Sequence, residues 1–394
     1  MDNRTVLRGR YLGKLMDLTA DSRIKVIYGP TCVGKTVLLR QFRYELVKSG
    51  VPDTTIVTVS FDRGYNIAET PEAYLNLLTS ACRPGTRYLL VDSAHLSPGY
   101  SDVIAAVHRK FESVGIYITV CTNSISHSSD PLWEKEDVAV GIPLYPFTFR
   151  EYLALRPGDR NAAFFEFMRI GGVPLMYKDL GAEDLSILSQ SYAHLVLNML
   201  IMRESKINPT AMGELLFYII AHTGLPLTMK ELIAHSSIVD NRTLEKYLER
   251  FTSSGVLYCC DGYQMDRGMK PSAKSVFFSN DIMSGTVFTP RGIQPAPTIS
   301  LLYNLVYIEL RVRGYKPSIL IAKGGVVGFC VGEGGDRVII RVAESVDYDR
   351  ITPTFSTYRS SLQRKVLLTL DQPRPDYSRY CQRNIVEFLL DDRL

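Results

Sequence analysis

Eight consecutive residues, Gly29 to Thr36, read GPTCVGKT and satisfy the phosphate-loop pattern G-x-x-x-x-G-K-[ST]. Each fixed position has a chemical reason. The backbone N–H groups of such a loop curl around a phosphate at a helix N-terminus, where the helix dipole favours an anion. Gly29 and Gly34 permit that backbone, Pro30, Thr31, Cys32 and Val33 complete the cradle, Lys35 reaches the β- and γ-phosphates, and the Thr36 hydroxyl ligates Mg²⁺. Average residue usage gives the bare pattern by chance in on the order of one per cent of chains this long, so nucleotide binding is the reading to pursue. A second piece fits the first: Tyr88-Leu89-Leu90-Val91 is an apolar run ending in Asp92, the form of a strand that delivers a carboxylate to the magnesium ion beside Thr36. The implied cofactors are ATP and Mg²⁺.

Elements must hold these residues in place. Ile24 to Tyr28 is a β-branched run upstream of the loop, and Val37 to Val47 carries the i, i+3, i+4 spacing of a helix downstream. Further strands are expected at Thr55–Phe61, which ends at Asp62, at Ile116–Val120, which ends at Thr122, Asn123 and Ser124, and at Val138–Leu144. Helices are expected over Arg8–Leu18, over Pro71–Ala81 with Thr70 as its cap, and over Val103–Phe111. Strands alternating with helices at this spacing predict an α/β fold with a parallel sheet, the nucleotide lying at the carboxyl ends of its strands. Asn123 at such an end is a candidate for sensing the γ-phosphate or placing water, with plain turn chemistry as the alternative.

The chain has 394 residues and a net charge of +4, which forces no strongly basic surface, so nucleic-acid contact would have to be local. The length suggests several domains. The longest apolar runs, such as Leu215–Ala221, fall far short of the roughly 20 residues that span a bilayer, so no membrane contact is expected. No apolar core with a cleavage site follows the first residues, which makes the cytoplasm the expected location. The 7 cysteines form no spaced metal-binding pairs and are read as reduced apolar fillers, apart from Cys32, which lies in the loop near a helix N-terminus and is read as a tolerated loop variable with a redox switch as the alternative.

From Phe147 to about Thr223 the pattern is helical, and residues 151–225 are expected to form a lid on the core of residues 1–150. Residues 226–288 then read as helix, helix and β-hairpin, the order of a winged helix-turn-helix, whose second helix would offer Asn241, Arg242, Lys246 and Arg250 to DNA. Glu245 and Glu249 alternate with those cations and weaken a phosphate-binding claim. A proline-rich stretch, Pro290–Thr298, is read as a linker to a last α/β domain over 298–394, a candidate for binding a protein partner or a second copy.

Taken together, the chain resembles a prokaryotic family of AAA-type P-loop ATPases that carry a lid, a winged helix and a C-terminal restriction-endonuclease-like domain. The resemblance rests on RGRYLGKL, the loop GPTCVGKT, IPLYPFTFREYL (Ile142–Leu153), FMRIGGVPLMY (Phe167–Tyr177) and NLVYIELRVRGYKP (Asn304–Pro317). It implies ATP binding with Mg²⁺. Three departures stand out against it. The family follows the strand aspartate with a water-polarising glutamate, and here Ser93 stands in that place; a serine is no base at neutral pH. The family has a Gly-Arg pair where this chain has Asp137-Val138. Its nuclease-like acidic stretch is replaced by Val326-Val327-Gly328-Phe329, with Glu309 retained and Arg341 on the next strand. His95 matches a position where the family has Gln or His, and with Asp62 and Asn123 it completes the catalytic candidates. The resemblance thus implies a Mg-dependent ATP-binding protein with weak or absent hydrolysis and no nuclease activity. A nucleotide-regulated DNA-binding protein and a scaffold with a vestigial nucleotide site stay open beside it.

Overall fold

A computed structural model describes residues 6–61, 69–122, 132, 137–177, 182–201, 207–264, 270–279, 296–322, 325–332, 337–345, 364–373 and 381–393. The chain divides into two compact units, residues 1–146 with 253–255, and residues 147–252 with 256–394.

The first unit is the expected parallel sheet. Strands β1 (Ile24–Gly29), β2 (Ile56–Ser60), β3 (Tyr88–Asp92), β4 (Gly115–Cys121) and β5 (Ala139–Pro143) lie in the order β2-β3-β4-β1-β5, every pairing parallel. Helices α1 (Gly9–Asp17), α2 (Lys35–Lys48), α3 (Pro71–Ala81) and α4 (Tyr100–Lys110) connect and cover it. One core packs α3 and α4 through Tyr74, Leu78, Val103 and Ile104 against Val26, Leu89 and Ile118; the other packs α1 and α2 through Leu12, Leu15, Leu38 and Phe42 against Ile27, Leu90 and Ile142. A sheet sandwiched this way needs apolar residues in both directions along its strands, which is why β3 and β4 read as unbroken runs. Lys25 is a charged exception: it is fully buried on β1, its Nζ donates to the Asp21 carbonyl and lies 5.0 Å from the Tyr117 ring centre, and burial pulls its pKa down.

The second unit starts with α5 (Phe149–Leu155), α6 (Arg160–Ile170), α7 (Ala182–Ile201) and α8 (Pro209–Ala221). Strand β6 (Pro226–Leu227), helices α9 (Met229–Ala234) and α10 (Asn241–Ser253) and strands β7 (Leu257–Cys260), β8 (Gly262–Gln264), β9 (Lys270–Pro271) and β10 (Ser275–Ser279) follow. Helix α11 (Thr298–Val312), strands β11 (Ser318–Ala322), β12 (Gly325–Val331), β13 (Val338–Val342), β14 (Arg364–Thr369) and β15 (Cys381–Asn384), and helix α12 (Ile385–Leu390) complete it. The hairpin of β7 and β10 forms as expected and takes in β6, giving the order β6-β10-β7. Cys259 is exposed and Cys260 buried, as opposite faces of a strand require.

The stretch between the hairpin strands departs from a free wing. β8 pairs in parallel with β11 and antiparallel with β9, so both extend the sheet β15-β14-β13-β12-β11-β8-β9. Most of the proline-rich stretch lies outside the described residues, yet packing runs across it: one core joins Val276 and Phe278 of β10 to Leu302, Tyr307, Phe329 and Phe388. Fully buried Asn304 secures the join. Its Oδ1 accepts from Thr223 Oγ1 (2.7 Å) and the Ser279 N–H (2.8 Å), and its Nδ2 donates to the Ser279 carbonyl (3.1 Å).

Glu309, the carboxylate retained on α11, is a packing group. It is 7% exposed and accepts from Arg313 Nε at 2.7 Å, while Arg313 Nη2 donates to the Phe388 carbonyl at 2.6 Å and binds α11 to α12. Glu309→Gln keeps an acceptor but leaves the guanidinium without its counter-charge, so a loss of about 2 kcal/mol is expected in denaturant unfolding. An unchanged midpoint would show the pair to be dispensable. On the neighbouring strand, Arg341 Nη1 is buried with no hydrogen-bond partner among the described residues, and a Cβ on Gly328 would overlap the Ile340 carbonyl. Burial pushes the nearby Tyr303 hydroxyl up to about 12.

Candidate functional site

The loop leaves β1 at Gly29 and enters α2 at Lys35. Gly34 is the N-cap of α2 with φ +95°, a conformation that glycine adopts without a side-chain penalty. Gly29 is required for a reason the motif does not state: a Cβ there would overlap the carbonyl oxygen of Leu144, the residue after β5. Gly29→Ala should therefore cost about 2 kcal/mol in thermal unfolding, because two backbone segments must separate. A variant melting with the wild type would remove that contact from consideration.

Among the described residues, two other than glycine have positive φ, Cys32 (+63°) and Ser93 (+57°). Both belong to the candidate site, where left-handed backbone is tolerated only if the surroundings hold it there. Lys35 Nζ donates to the carbonyls of Gly29 (2.9 Å) and Pro30 (2.6 Å), which places the ammonium inside the loop.

Asp92, 3% exposed at the end of β3, gathers the hydroxyls around it. Its Oδ1 accepts from Thr36 Oγ1 at 3.1 Å and from Thr119 Oγ1 at 2.6 Å, and Ser60 Oγ lies 3.5 Å from Oδ2. Thr119 also accepts from the Ser93 N–H at 2.7 Å, so one buried hydroxyl on β4 fixes both the aspartate and the residue after it. Sequence reading passed over Thr119 because it sits mid-strand in an apolar run; its signal is the register, since Val91 pairs with Ile118 and the next pair is Asp92 beside Thr119. Carboxylate and hydroxyl oxygens are hard donors of the kind Mg²⁺ takes, so Thr36 and Asp92 fit the ion the sequence implies.

His95 follows in the short turn after β3, and its Nδ1 accepts from the Cys121 N–H at 3.3 Å at the end of β4. That bond brings the imidazole to the carboxyl end of the sheet. Thr122 beside it is 6% exposed, and its hydroxyl has no hydrogen-bond partner among the described residues. Asp62 and Asn123 lie outside the described residues. On α10, Asn241, Arg242 and Lys246 are exposed and Asp240 caps the helix by accepting from the Thr243 N–H at 2.9 Å. Arg250 is drawn inward instead, its Nε donating to the Leu200 carbonyl at the end of α7.

Residues 21–153 match the family model of the AAA domain, a span that contains the loop, Asp92 and β5. Over that span the chain is similar to the AAA domain family. The AAA domain is a nucleotide-binding fold in general. A protein of Haemophilus influenzae, described as uncharacterized, is 22% identical over 384 residues, covering 94% of each chain. Among solved structures, AMPPCP-bound DnaA of Aquifex aeolicus is 14% identical, covering 61% of this chain and 85% of its own at a TM-score of 0.33. A DNA polymerase III gamma-subunit-related protein of Thermotoga maritima is 16% identical, covering 62% and 84% at a TM-score of 0.29. No helix among the described residues is long and apolar enough to cross a membrane.

Proposed function

We propose that the AAA domain binds ATP with Mg²⁺ and hydrolyses it slowly or not at all. The observation that carries this reading is the shared Asp92 oxygen: Thr36 and Thr119 both donate to Oδ1, which joins the end of the phosphate loop to the strand carboxylate. Gly29 to Thr36 would cradle the phosphates, Lys35 would meet the β- and γ-phosphates, and Thr36 with Asp92 would hold Mg²⁺. The ion, when bound, supplies charge compensation for the phosphates. In this reading the residues for binding are present where the chemistry of water activation is thin. Ser93 occupies the position after Asp92 and brings no carboxylate, and Val138 stands where the resembling family has arginine. His95, held by the Cys121 N–H at the carboxyl end of the sheet, is a candidate for positioning a water. Calorimetric titration with ATP, with and without Mg²⁺, tests the reading. Absence of binding by the folded protein would falsify it.

Exposure of Asn241, Arg242 and Lys246 on α10 supports a second reading, in which nucleotide state governs duplex DNA binding. With Arg250 turned inward, the surface that remains is a small cationic one and should give a shallow salt dependence. Arg242→Glu with Lys246→Glu is expected to weaken duplex binding roughly tenfold and to flatten the salt slope by about two counterions. Equal affinity and slope in filter binding would dismiss this surface.

A further inference from the structure

Arg8 is 2% exposed, and three backbone carbonyls surround its guanidinium. Nη1 donates to the Val33 carbonyl at 3.2 Å; Nη2 donates to the Tyr145 carbonyl at 2.9 Å and lies 3.5 Å from that of Pro146. The group sits 4.7 Å from the Tyr11 ring centre, and the Tyr11 hydroxyl accepts the Tyr145 N–H at 3.3 Å. Gln41 of α2 fixes the backbone here, accepting the Arg8 N–H at 3.3 Å and donating to the Val6 carbonyl at 2.7 Å. Burying a guanidinium is costly unless its donors are satisfied, so the contacts are what make its burial tolerable. A flat fork of five donors can bridge separate carbonyls, where an ammonium on a flexible stem holds one at a time.

Both ends of this bridge bear on the loop. The Val33 carbonyl belongs to the peptide that carries the Gly34 N–H, and in a trans peptide the two point in opposite directions. Holding the carbonyl from behind therefore aims the Gly34 N–H toward the side from which a phosphate would bind. At the other end, Tyr145 and Pro146 are the last residues before the chain leaves the first unit. The preceding residue, Leu144, is already pressed on the loop: its N–H donates to the Tyr28 carbonyl at 2.7 Å and its oxygen faces Gly29.

We propose that Arg8 is a positioning residue that binds the phosphate loop to the exit segment Leu144–Pro146, so that nucleotide in the loop tightens the exit. The proposal rests on the ATP-binding reading above for its nucleotide arm and stands without it for its mechanical arm.

The test is amide hydrogen exchange at Leu144 and Tyr145 in wild type, Arg8→Gln and Arg8→Lys, with ATP affinity measured alongside by calorimetry. In wild type, ATP with Mg²⁺ is expected to slow exchange at both amides roughly fivefold or more. Arg8→Gln should raise the ATP dissociation constant roughly tenfold and abolish the slowing at saturating ATP. Arg8→Lys keeps the charge and should bind ATP closer to wild type, yet also lose the slowing, an outcome that a merely structural arginine would not produce. Nucleotide-dependent slowing that persists in Arg8→Lys overturns the proposal, and that variant decides alone if Arg8→Gln does not fold. If wild type binds no ATP, the functional reading fails, and the clasp is judged in free protein. Arg8→Lys must then speed exchange at Leu144 and Tyr145 relative to the amides of β4, and equal rates overturn it.

Discussion

Lys35→Ala is expected to raise the dissociation constant for ATP by roughly a hundred- to a thousandfold while moving the thermal midpoint by less than about 3 °C. The two halves of this expectation have separate causes. Lys35 Nζ donates to carbonyls of its own loop, Gly29 at 2.9 Å and Pro30 at 2.6 Å, and both are neutral acceptors. A β- or γ-phosphate oxygen is a charged acceptor for the same ammonium, so the bond that forms on binding is of the stronger, charge-assisted kind. The loop does not depend on the lysine for its shape, because Gly29 is pressed on Leu144, Val33 is held by Arg8, and Thr36 reaches Asp92. Removing the side chain should thus delete affinity and spare the fold. Calorimetry with a parallel melt checks both. Equal affinity in a folded variant would mean that the loop does not bind phosphate through Lys35.

What the sequence disclosed, and what it did not, follows from how far apart the interacting residues lie. The loop, β1, α2 and the Asp92 strand were legible because each is a local pattern: contiguous apolar residues, a helical period, glycines at fixed offsets. The parallel sheet followed from the alternation of those pieces. Non-local partners were not legible. Arg8 lies 25 residues from Val33 and 137 from Tyr145, and nothing in RGRYLGKL marks its first arginine as buried. β8 is three residues, Gly262–Gln264, too short to carry a period, and its place in the sheet is set by β11 more than 50 residues on. Arg250 looked like its neighbours on α10, but helical spacing turns it toward the end of α7, where a carbonyl takes it. Glu309 carried the opposite lesson: the carboxylate that the resemblance singled out has an i, i+4 partner, Arg313, within the same helix.

Ser93→Glu is expected to increase phosphate release by roughly a hundredfold while leaving ATP affinity within about threefold of wild type. Position 93 is already presented for the task. Its N–H is held by Thr119 Oγ1 at 2.7 Å, the same oxygen that donates to Asp92 at 2.6 Å, and its φ of +57° turns the chain away from the strand direction. Serine already bears the left-handed backbone cost, so a glutamate adds little of it. The new carboxylate would lie near that of Asp92, and like charges disfavour double ionisation, which raises a carboxyl pKa toward the range suited to a base at neutral pH. Steady-state phosphate release, with the Lys35→Ala Ser93→Glu double variant as the control for contaminating activity, reads the effect. Wild-type turnover already on the order of 1 s⁻¹ would sink the premise that Ser93 limits the chemistry. A flat response with unchanged affinity would move the defect elsewhere, to the absence of a cation at Asp137-Val138, since a base positions water but does not neutralise the charge that develops on the transferred phosphoryl group.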